Sequence, residues 1–377
     1  MIFKIFTSFI RILFLGVFFL LLFFADKFKI KIEYAGFPLS DNWYIRLTRL
    51  AFWFLVSVEI LRVFYYSIIK SRMQGLVANI VTLVVPLVIT LILLEVIFMY
   101  VPQSHEGISS KASQIWWEKY WHPVNELGYR DKKIMDEAGK INVLVIGDSF
   151  AAGHGLKNVN ERFSDILQAK LGVERYSVYN LGVSGADTRD EAKRLEEFPI
   201  KPDIIILQYF PNDIEKAGRE NGLSLSGAES YADLHGPFSM LVKRFYLPNF
   251  IYWQLPHTGF STFEKFVQSA YTDTTVLNAH LRDLSRFTLY KEASKAEMYT
   301  VFIPFLFQLD KSAAYTKPVE GFLRSKKVHV ITLNNTIAKV PEKDRIVGKN
   351  DGHASSVINS LIADKLFEAM KPDLRQH

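Results

Sequence analysis

The chain has 377 residues, of which 49% are hydrophobic, with a formal net charge of +6 and no cysteine. This length is enough for one soluble domain and an additional segment or domain. The absence of cysteine fits a chain without disulfides but leaves the compartment open. The basic residues are scattered and many flank apolar segments, so no nucleic-acid partner is expected.

The first 100 residues contain three apolar segments long enough to cross a bilayer, which takes about 20 residues. They are Ile5–Phe24, Leu50–Ile69 and Leu76–Met99. The first is expected to be an uncleaved anchor, because "LFFAD" has Phe23 where a signal-peptide cleavage site needs a small residue. In the second, Glu59 and Arg62 share a helical face and could pair. We therefore predict a membrane domain over residues 1–100 with three transmembrane helices.

Loop charge does not decide how these helices are oriented. Three spans place the two ends of the chain on opposite sides of the membrane. The basic residues are Lys4, Lys70 and Arg72 on one side, and Lys27, Lys29, Lys31, Arg46 and Arg49 on the other. The positive-inside count favours a cytoplasmic first loop and a cytoplasmic C-terminal domain, whereas the short basic "KSR" turn argues the opposite.

A connector over residues 101–137 leads to a domain predicted at 138–372. The connector contains "WWEKYWHP" (116–123), whose aromatic rings either lie in the headgroup region or pack against the domain. In the domain, apolar β-type runs alternate with helical patterns such as 161–172 and 186–198. The runs are "INVLVIG" (141–147), "RYSVYNLG" (175–182), "PDIIILQYF" (202–210), "MYTVFIPF" (298–305) and "VHVITL" (328–333). This alternation predicts a doubly wound α/β domain with a parallel sheet.

One connection, residues 214–297, is too long for that plan and is predicted as an insertion. Its aromatic stretch "FYLPNFIYWQLP" (245–256) indicates a lid, a membrane-touching flap or an extra helical layer.

Polar and small residues follow the strands, where an open α/β sheet carries its ligand site. Singly, each is an ordinary turn or helix cap. Together they supply a nucleophile in Ser149, a base in His353 and an orienting carboxylate in Asp351. The predicted oxyanion donors are the backbone N–H groups of Ser149 and Gly185 and the side-chain amide of Asn212.

The blocks "GDSF", "NLGVSGADT", "PND" and "DGH", in this order, resemble the GDSL (SGNH) hydrolases over roughly residues 120–370. The lead-in "NELGYRDKK" (125–133) is similar to a segment that precedes the nucleophile block in membrane-anchored members. The resemblance implies a flavodoxin-like five-stranded sheet. It also implies that Ser149 is the nucleophile, Gly185 and Asn212 stabilise the oxyanion, and His353 is the base.

The chain departs from the family pattern at two points. Many members have the triad aspartate three residues before the histidine, where this chain has Asn350. Relatives that act on bacterial polysaccharides use an Asp-x-His spacing, so Asp351 is the expected acid. Many relatives also have Pro-Asn after the histidine, where this chain has Ala354 and Ser355.

These features predict a membrane-anchored serine esterase or O-acyl(acetyl)transferase that acts on an acylated glycan or lipid, without cofactor or metal. The resemblance favours the bacterial inner membrane with the catalytic domain in the periplasm. The alternative is a catalytically silent subunit of a larger membrane assembly, since three spans exceed what tethering requires. His154, close to the nucleophile, either contacts substrate or is a helix-start residue.

Overall fold

The computed structural model describes residues 2–28, 33–34, 37–38, 43–66, 75–106, 110–135, 137, 139–225, 238–255 and 259–374. The helices are α1 (Ile2–Phe24), α2 (Trp43–Phe64), α3 (Leu76–Phe98), α4 (Lys111–Tyr120), α5 (Ser149–Ala152), α6 (Phe163–Leu171), α7 (Thr188–Glu197), α8 (Glu215–Glu220), α9 (Ser239–Arg244), α10 (Tyr246–Gln254), α11 (Gly259–Thr272), α12 (Thr274–Ser294), α13 (Leu309–Ser325), α14 (Asn334–Ile337) and α15 (Ser356–Leu374). The strands are β1 (Glu33–Tyr34), β2 (Phe37–Pro38), β3 (Ile141–Ile146), β4 (Tyr176–Asn180), β5 (Ile204–Tyr209), β6 (Glu297–Phe302), β7 (His329–Thr332), β8 (Ile346–Gly348) and β9 (Asp351–Ala354).

The described residues form two compact units. The first contains those within 1–103, 108–116 and 233–255, and the second contains those within 104–107, 117–232 and 256–377. The first unit is built on α1, α2 and α3. The second contains the mixed α/β part of the chain.

Among the described residues, one helix is long and apolar enough to cross a bilayer. It is the Ala78–Phe98 part of α3, with a mean hydropathy of 2.9. The apolar stretch of α1, Ile10–Phe24, is shorter, and α2 carries four charged side chains that lower its hydropathy. Residues 67–69 of the second predicted span lie outside the described residues. The prediction of three transmembrane helices is therefore not confirmed, and a single candidate span remains.

The carboxylate of Glu59 on α2 is paired with two arginines. Glu59 accepts from Arg62 at 3.5 Å, as the spacing predicts, and also from Arg11 of α1 at 3.1 Å. A carboxylate in an apolar helix needs such partners, because burying an unpaired charge is costly. The pairing gives Glu59 a role in holding neighbouring helices together.

The predicted insertion divides between the two units. Its aromatic part, α9 and α10, belongs to the first unit, where the ring of Phe245 stacks on Phe23 at 5.2 Å. The backbone N–H groups of Tyr246 and Leu247 donate to the carboxylate of Glu95 at 2.8 and 2.9 Å. A carboxylate is a favourable partner for the free N–H groups at a helix start. The aromatic stretch thus packs on the apolar helices of its unit.

The second unit contains a five-stranded, fully parallel sheet with the order β4-β3-β5-β6-β7. This is the flavodoxin-like order 2-1-3-4-5, and all five predicted strands are confirmed. Alternate residues of each strand enter two different apolar cores. Leu144 and Leu207 face the core formed with α7, α11, α12 and α13, whereas Val143 and Val145 face the core formed with α6 and α15. The sheet is therefore covered on both faces.

The strand order determines where a ligand can bind. Strand β3 lies between β4 and β5. The connection from β3 to β4 and the connection from β4 to β5 therefore run in opposite directions across the sheet. A crevice forms beyond the carboxyl ends of the strands at such a switch point. The antiparallel pair β8 and β9 follows the sheet in sequence and carries the "DGH" block.

Candidate active site

The serine at the end of β3 begins the short helix α5. Asp148 caps this helix, and its Oδ1 accepts from the N–H of Phe150 at 2.8 Å. From β5, the side-chain oxygen of Gln208 accepts from the N–H groups of Asp148 and Ala151, each at 3.1 Å. A Cβ at Gly147 would lie 2.3 Å from that oxygen, so only glycine fits there. Gln208 was not among the predicted site residues, although a glutamine in an otherwise apolar strand is a visible signal.

Three side chains predicted as a triad lie in one hydrogen-bonded chain. Ser149 Oγ is 2.8 Å from His353 Nε2, and His353 Nδ1 is 2.5 Å from Asp351 Oδ1. A carboxylate only accepts, so Nδ1 carries the proton and Nε2 presents its lone pair to the serine hydroxyl. Asp351 and His353 project to the same face of β9 because they are two residues apart on a strand. The Asp-x-His spacing therefore aligns acid and base.

The electrostatics of this chain favour a charged pair after proton transfer. Burial, the largest influence, lowers the pKa of His353, but the charge and hydrogen bond of Asp351 outweigh it and the pKa is raised. The charges of Asp148 and Glu106 act in the same direction. For Asp351, burial raises the pKa, but the interactions with His353 outweigh it and hold the pKa well below its usual range. Asp351 stays ionised while His353 takes up a proton.

The three predicted oxyanion donors differ in their surroundings. Among the described residues, the N–H of Ser149 has no acceptor. The Nδ2 group of Asn212 donates to Asp148 Oδ2 at 3.0 Å and has a second hydrogen. Gly185 is exposed with φ +77°, and a Cβ there would meet open space, so backbone conformation is what favours glycine. Next to Gly185, the hydroxyl of Ser184 lies 3.5 Å from the Nδ1 atom of His154.

The side chain of His154 packs against that of the predicted base, His353. Its ring stacks on His353 at 4.3 Å between centroids, and it is only 3% exposed. Burial, followed by the charge of His353, lowers the pKa of His154 to about 4, so it is neutral near pH 7. Its Nε2–H donates to the carbonyl of His105 at 2.7 Å. The rings of Trp117 and Trp121, from the connector, contact the same histidine ring at steep angles, with centroids 5.4 and 6.2 Å away.

The ligand atoms of His154, Asp351 and His353 lie within 4.8 Å of one another, a grouping that could hold a metal ion. However, His154 Nε2–H donates to a carbonyl and His353 Nδ1–H donates to Asp351. A cation bound by these nitrogens would displace both protons. The arrangement fits a proton relay better than a cation site.

The lead-in segment (125–133) contacts the residues that follow α5 through the side chain of Arg130. Arg130 is 1% exposed, and its guanidinium donates to the carbonyls of Gly153 at 2.6 Å and of Leu156 and Tyr120 at 2.8 Å. Burial, followed by the charge of Arg162, lowers its pKa to about 10, so it stays charged. These contacts give a physical reason for a "GYRD" sequence to accompany the nucleophile block. Arg130 was not among the predicted site residues, although it lies in the lead-in segment.

No protein-family model matches the chain, and no curated protein matches it. Similar solved structures include a putative lipolytic protein of the G-D-S-L family from Desulfitobacterium hafniense DCB-2 (12% identity, 61% of this chain and 99% of that chain, TM-score 0.39). Others are the psychrotrophic esterase EstA from Pseudoalteromonas sp. (14%, 62% and 98%, TM-score 0.37) and AlinE4, an SGNH-hydrolase family esterase (15%, 64% and 98%, TM-score 0.35).

These TM-scores lie below 0.5, so the fold is described from its own strand order and site geometry. The sheet is a flavodoxin-like, doubly wound α/β fold. The four sequence blocks at its carboxyl edge resemble those of the GDSL (SGNH) hydrolases.

Proposed function

We propose that this protein is a membrane-anchored serine esterase or O-acyl(acetyl)transferase acting on an acylated glycan or lipid. The observation that carries the proposal is the hydrogen-bond chain from Asp351 through His353 to Ser149, at 2.5 and 2.8 Å. This chain joins a buried carboxylate, an imidazole in the productive tautomer and a hydroxyl at the ligand-binding edge of the sheet.

In the first step, Ser149 Oγ attacks the ester carbonyl carbon while its proton passes to His353 Nε2. The carbonyl oxygen becomes an oxyanion, which the N–H groups of Ser149 and Gly185 and the amide of Asn212 stabilise by hydrogen bonds. Asp351 stabilises the imidazolium by its charge. The tetrahedral intermediate collapses, the His353 proton goes to the leaving alcohol, and an acyl-serine remains.

In the second step, an O–H group attacks the acyl-serine after giving its proton to neutral His353. If water attacks, the product is a carboxylic acid; if a sugar or lipid hydroxyl attacks, the acyl group is transferred. Ser149 recovers its proton from His353 in both reactions. The same residues serve both, so access of water to the site determines the outcome.

The proposed setting is the bacterial inner membrane, with the second unit in the periplasm and other membrane subunits as candidate partners. The apolar helix α3 supports attachment to a bilayer. The resemblance to membrane-anchored family members supports the periplasmic side and an envelope polysaccharide or lipid as acyl donor.

A fluorophosphonate probe tests the proposed nucleophile. Detergent-solubilised wild-type protein is expected to be labelled, because the probe reacts with an activated serine hydroxyl. Ser149→Ala should not be labelled. Ser285→Ala is a matched control, since Ser285 Oγ donates to the Arg282 carbonyl within α12, and it should label normally. Labelling that persists in Ser149→Ala would refute the site.

Acetate release separates hydrolysis from transfer. The purified protein is incubated with an acetylated glycan or a small acetyl ester, with and without a carbohydrate acceptor. Release without acceptor indicates an esterase, and acetylated acceptor indicates a transferase. If neither reaction nor probe labelling occurs at neutral pH, the silent-subunit alternative replaces the proposal.

A further inference from the structure

The second oxygen of the predicted triad acid needs a hydrogen-bond donor. Asp351 is 1% exposed, so water cannot readily solvate its carboxylate. Its Oδ1 accepts from His353 Nδ1 at 2.5 Å and from the His353 backbone N–H at 3.1 Å. Both of these donors go to Oδ1, so His353 leaves Oδ2 without a hydrogen bond.

Ser104 supplies this donor. Its hydroxyl donates to Asp351 Oδ2 from a position 247 residues earlier in the chain. His154 Nε2 is 3.9 Å from the same oxygen, but its proton is directed to the carbonyl of His105 at 2.7 Å. Among the described residues, Ser104 is therefore the side chain that hydrogen-bonds the far oxygen of the acid.

Two neighbouring contacts fix Ser104 in place. The N–H of Glu106 donates to the carbonyl of Asn350 at 3.2 Å, and the carbonyl of His105 accepts from His154. The fit is close at the middle of the "DGH" block, since a Cβ at Gly352 would lie 2.8 Å from the Glu106 carboxylate. The 104–106 segment is thus held beside Asn350 and Gly352, the two neighbours of Asp351 in the chain, and by His154.

We propose that Ser104 is a positioning residue that extends the relay to Ser104–Asp351–His353–Ser149. This inference rests on the proposed function. The Ser104 hydroxyl holds the Asp351 carboxylate in the rotamer that directs Oδ1 at the imidazole. Its hydrogen bond to Oδ2 also stabilises part of the negative charge of the carboxylate, which weakens the attraction of that charge for the imidazolium. The first effect preserves the tautomer and orientation of the base, and the second tunes its basicity.

The test compares Ser104→Ala, Ser104→Thr and the Ser285→Ala control in the full-length protein. Ser104→Ala is expected to lower kcat for a small acetyl ester about tenfold with little change in KM, because the loss acts on the base and not on substrate binding. The acidic limb of its pH profile should move up by about half a unit, since an undonated carboxylate attracts the imidazolium more strongly. Ser104→Thr keeps the hydroxyl and should restore both.

A second readout does not require turnover. With 15N-labelled histidine, NMR titration of His353 in Ser104→Ala should show the same upward shift of its pKa, whereas Ser285→Ala should titrate as wild type. If wild-type protein has no activity and no probe labelling but the titration shifts, the proposed function fails and the positioning contact stands. Unchanged kcat and unchanged His353 titration in Ser104→Ala would overturn the inference.

Discussion

At the scale of single residues, the site depends on one strand-borne pair. Asp351 and His353 share a face of β9, and the resulting 2.5 Å contact sets the basicity of the imidazole. The roles of these residues remain predictions, although the structure brings their side chains into contact. The pKa of His353 is raised above its ordinary value of 6.5.

The pH dependence of the reaction follows from this shift. His353 must be neutral to accept the serine proton, so kcat/KM should rise with pH through an apparent pKa above 6.5. In Asp351→Asn the base loses its strongest charged partner, so the effect of burial weighs more and the pKa of His353 should fall. The acidic limb should move to lower pH while the rate falls by about 10³- to 10⁴-fold. An acidic limb in Asp351→Asn at or above the wild-type position would contradict this account.

Gly182 is a second residue whose identity is dictated by its neighbours. A Cβ there would lie 2.3 Å from the N atom of Ala152 and 2.7 Å from the carbonyl carbon of Ala151. Both atoms are backbone of the nucleophile helix. Gly182→Ala should therefore displace Ser149, lower kcat and lower the free energy of unfolding by about 1–3 kcal/mol.

The control is Gly321→Ala on α13, where a Cβ would meet nothing within 4 Å. It should be neutral or stabilising by about 0.5–1 kcal/mol, because alanine favours a helix. Denaturant unfolding and ester hydrolysis measure both effects. Equal behaviour of the two variants would show that β4 and α5 are not packed as described.

At the scale of elements, the short helix α5 has too few residues to be stable alone and is held by its surroundings. Gln208 of β5 binds its N-terminal N–H groups, and Arg130 of the lead-in segment binds the carbonyls that follow it. The carboxylate of Asp131 continues this support, accepting from the N–H of Asn180 at 2.8 Å and from Arg162 at 3.2 Å. The lead-in segment therefore stabilises the position of the helix that begins at Ser149.

Removing the Arg130 guanidinium should test this stabilisation. Arg130→Met keeps most of the side-chain volume but leaves buried carbonyls without donors, so we expect a loss of about 3 kcal/mol. For a domain of this size that corresponds to a melting temperature lower by about 6–12 °C. The exposed Arg175, which lies over the Tyr176 ring, provides the control Arg175→Met with little change. A similar Tm for both variants would exclude the supporting role.

At the scale of the whole molecule, the chain combines an apolar helical unit with an α/β unit that contains every predicted site residue. The chain contributes to the two units alternately, since the described residues 238–255 group with the apolar helices. The proposed activity on an envelope glycan or lipid requires that the α/β unit lie in the compartment that contains this substrate.

The absence of native cysteine makes the orientation directly measurable. Lys193, on α7 of the α/β unit, is 64% exposed, and Lys193→Cys introduces a unique thiol. A membrane-impermeant maleimide should label this variant in intact spheroplasts if the unit is periplasmic. Labelling only after permeabilisation would place the unit in the cytoplasm, and the cysteine-free parent is the control.

Some of this architecture could be inferred without coordinates because its signals are local. Each strand of the sheet is a short apolar run, and the polar residues after it follow from chain order, so the sheet and its ligand edge were predictable. The three transmembrane helices were not confirmed, because charged residues within α2 interrupt its apolar character. Two of these residues, Glu59 and Arg62, are paired with each other, and Glu59 also pairs with Arg11 of α1.

Ser149, Asp351 and His353 could be predicted as site residues because each occurs in a short sequence block, one at the end of β3 and the other in the segment that forms β9. Ser104 and Arg130 could not be assigned, since a serine and an arginine are ordinary in sequence. Gln208 stands out as a glutamine in an apolar strand, but its hydrogen-bond partners could not be inferred from the sequence. Only the tertiary structure decided which buried oxygen or N–H group each of them satisfies, because hydrogen-bond partners are chosen by proximity after folding and not by spacing along the chain.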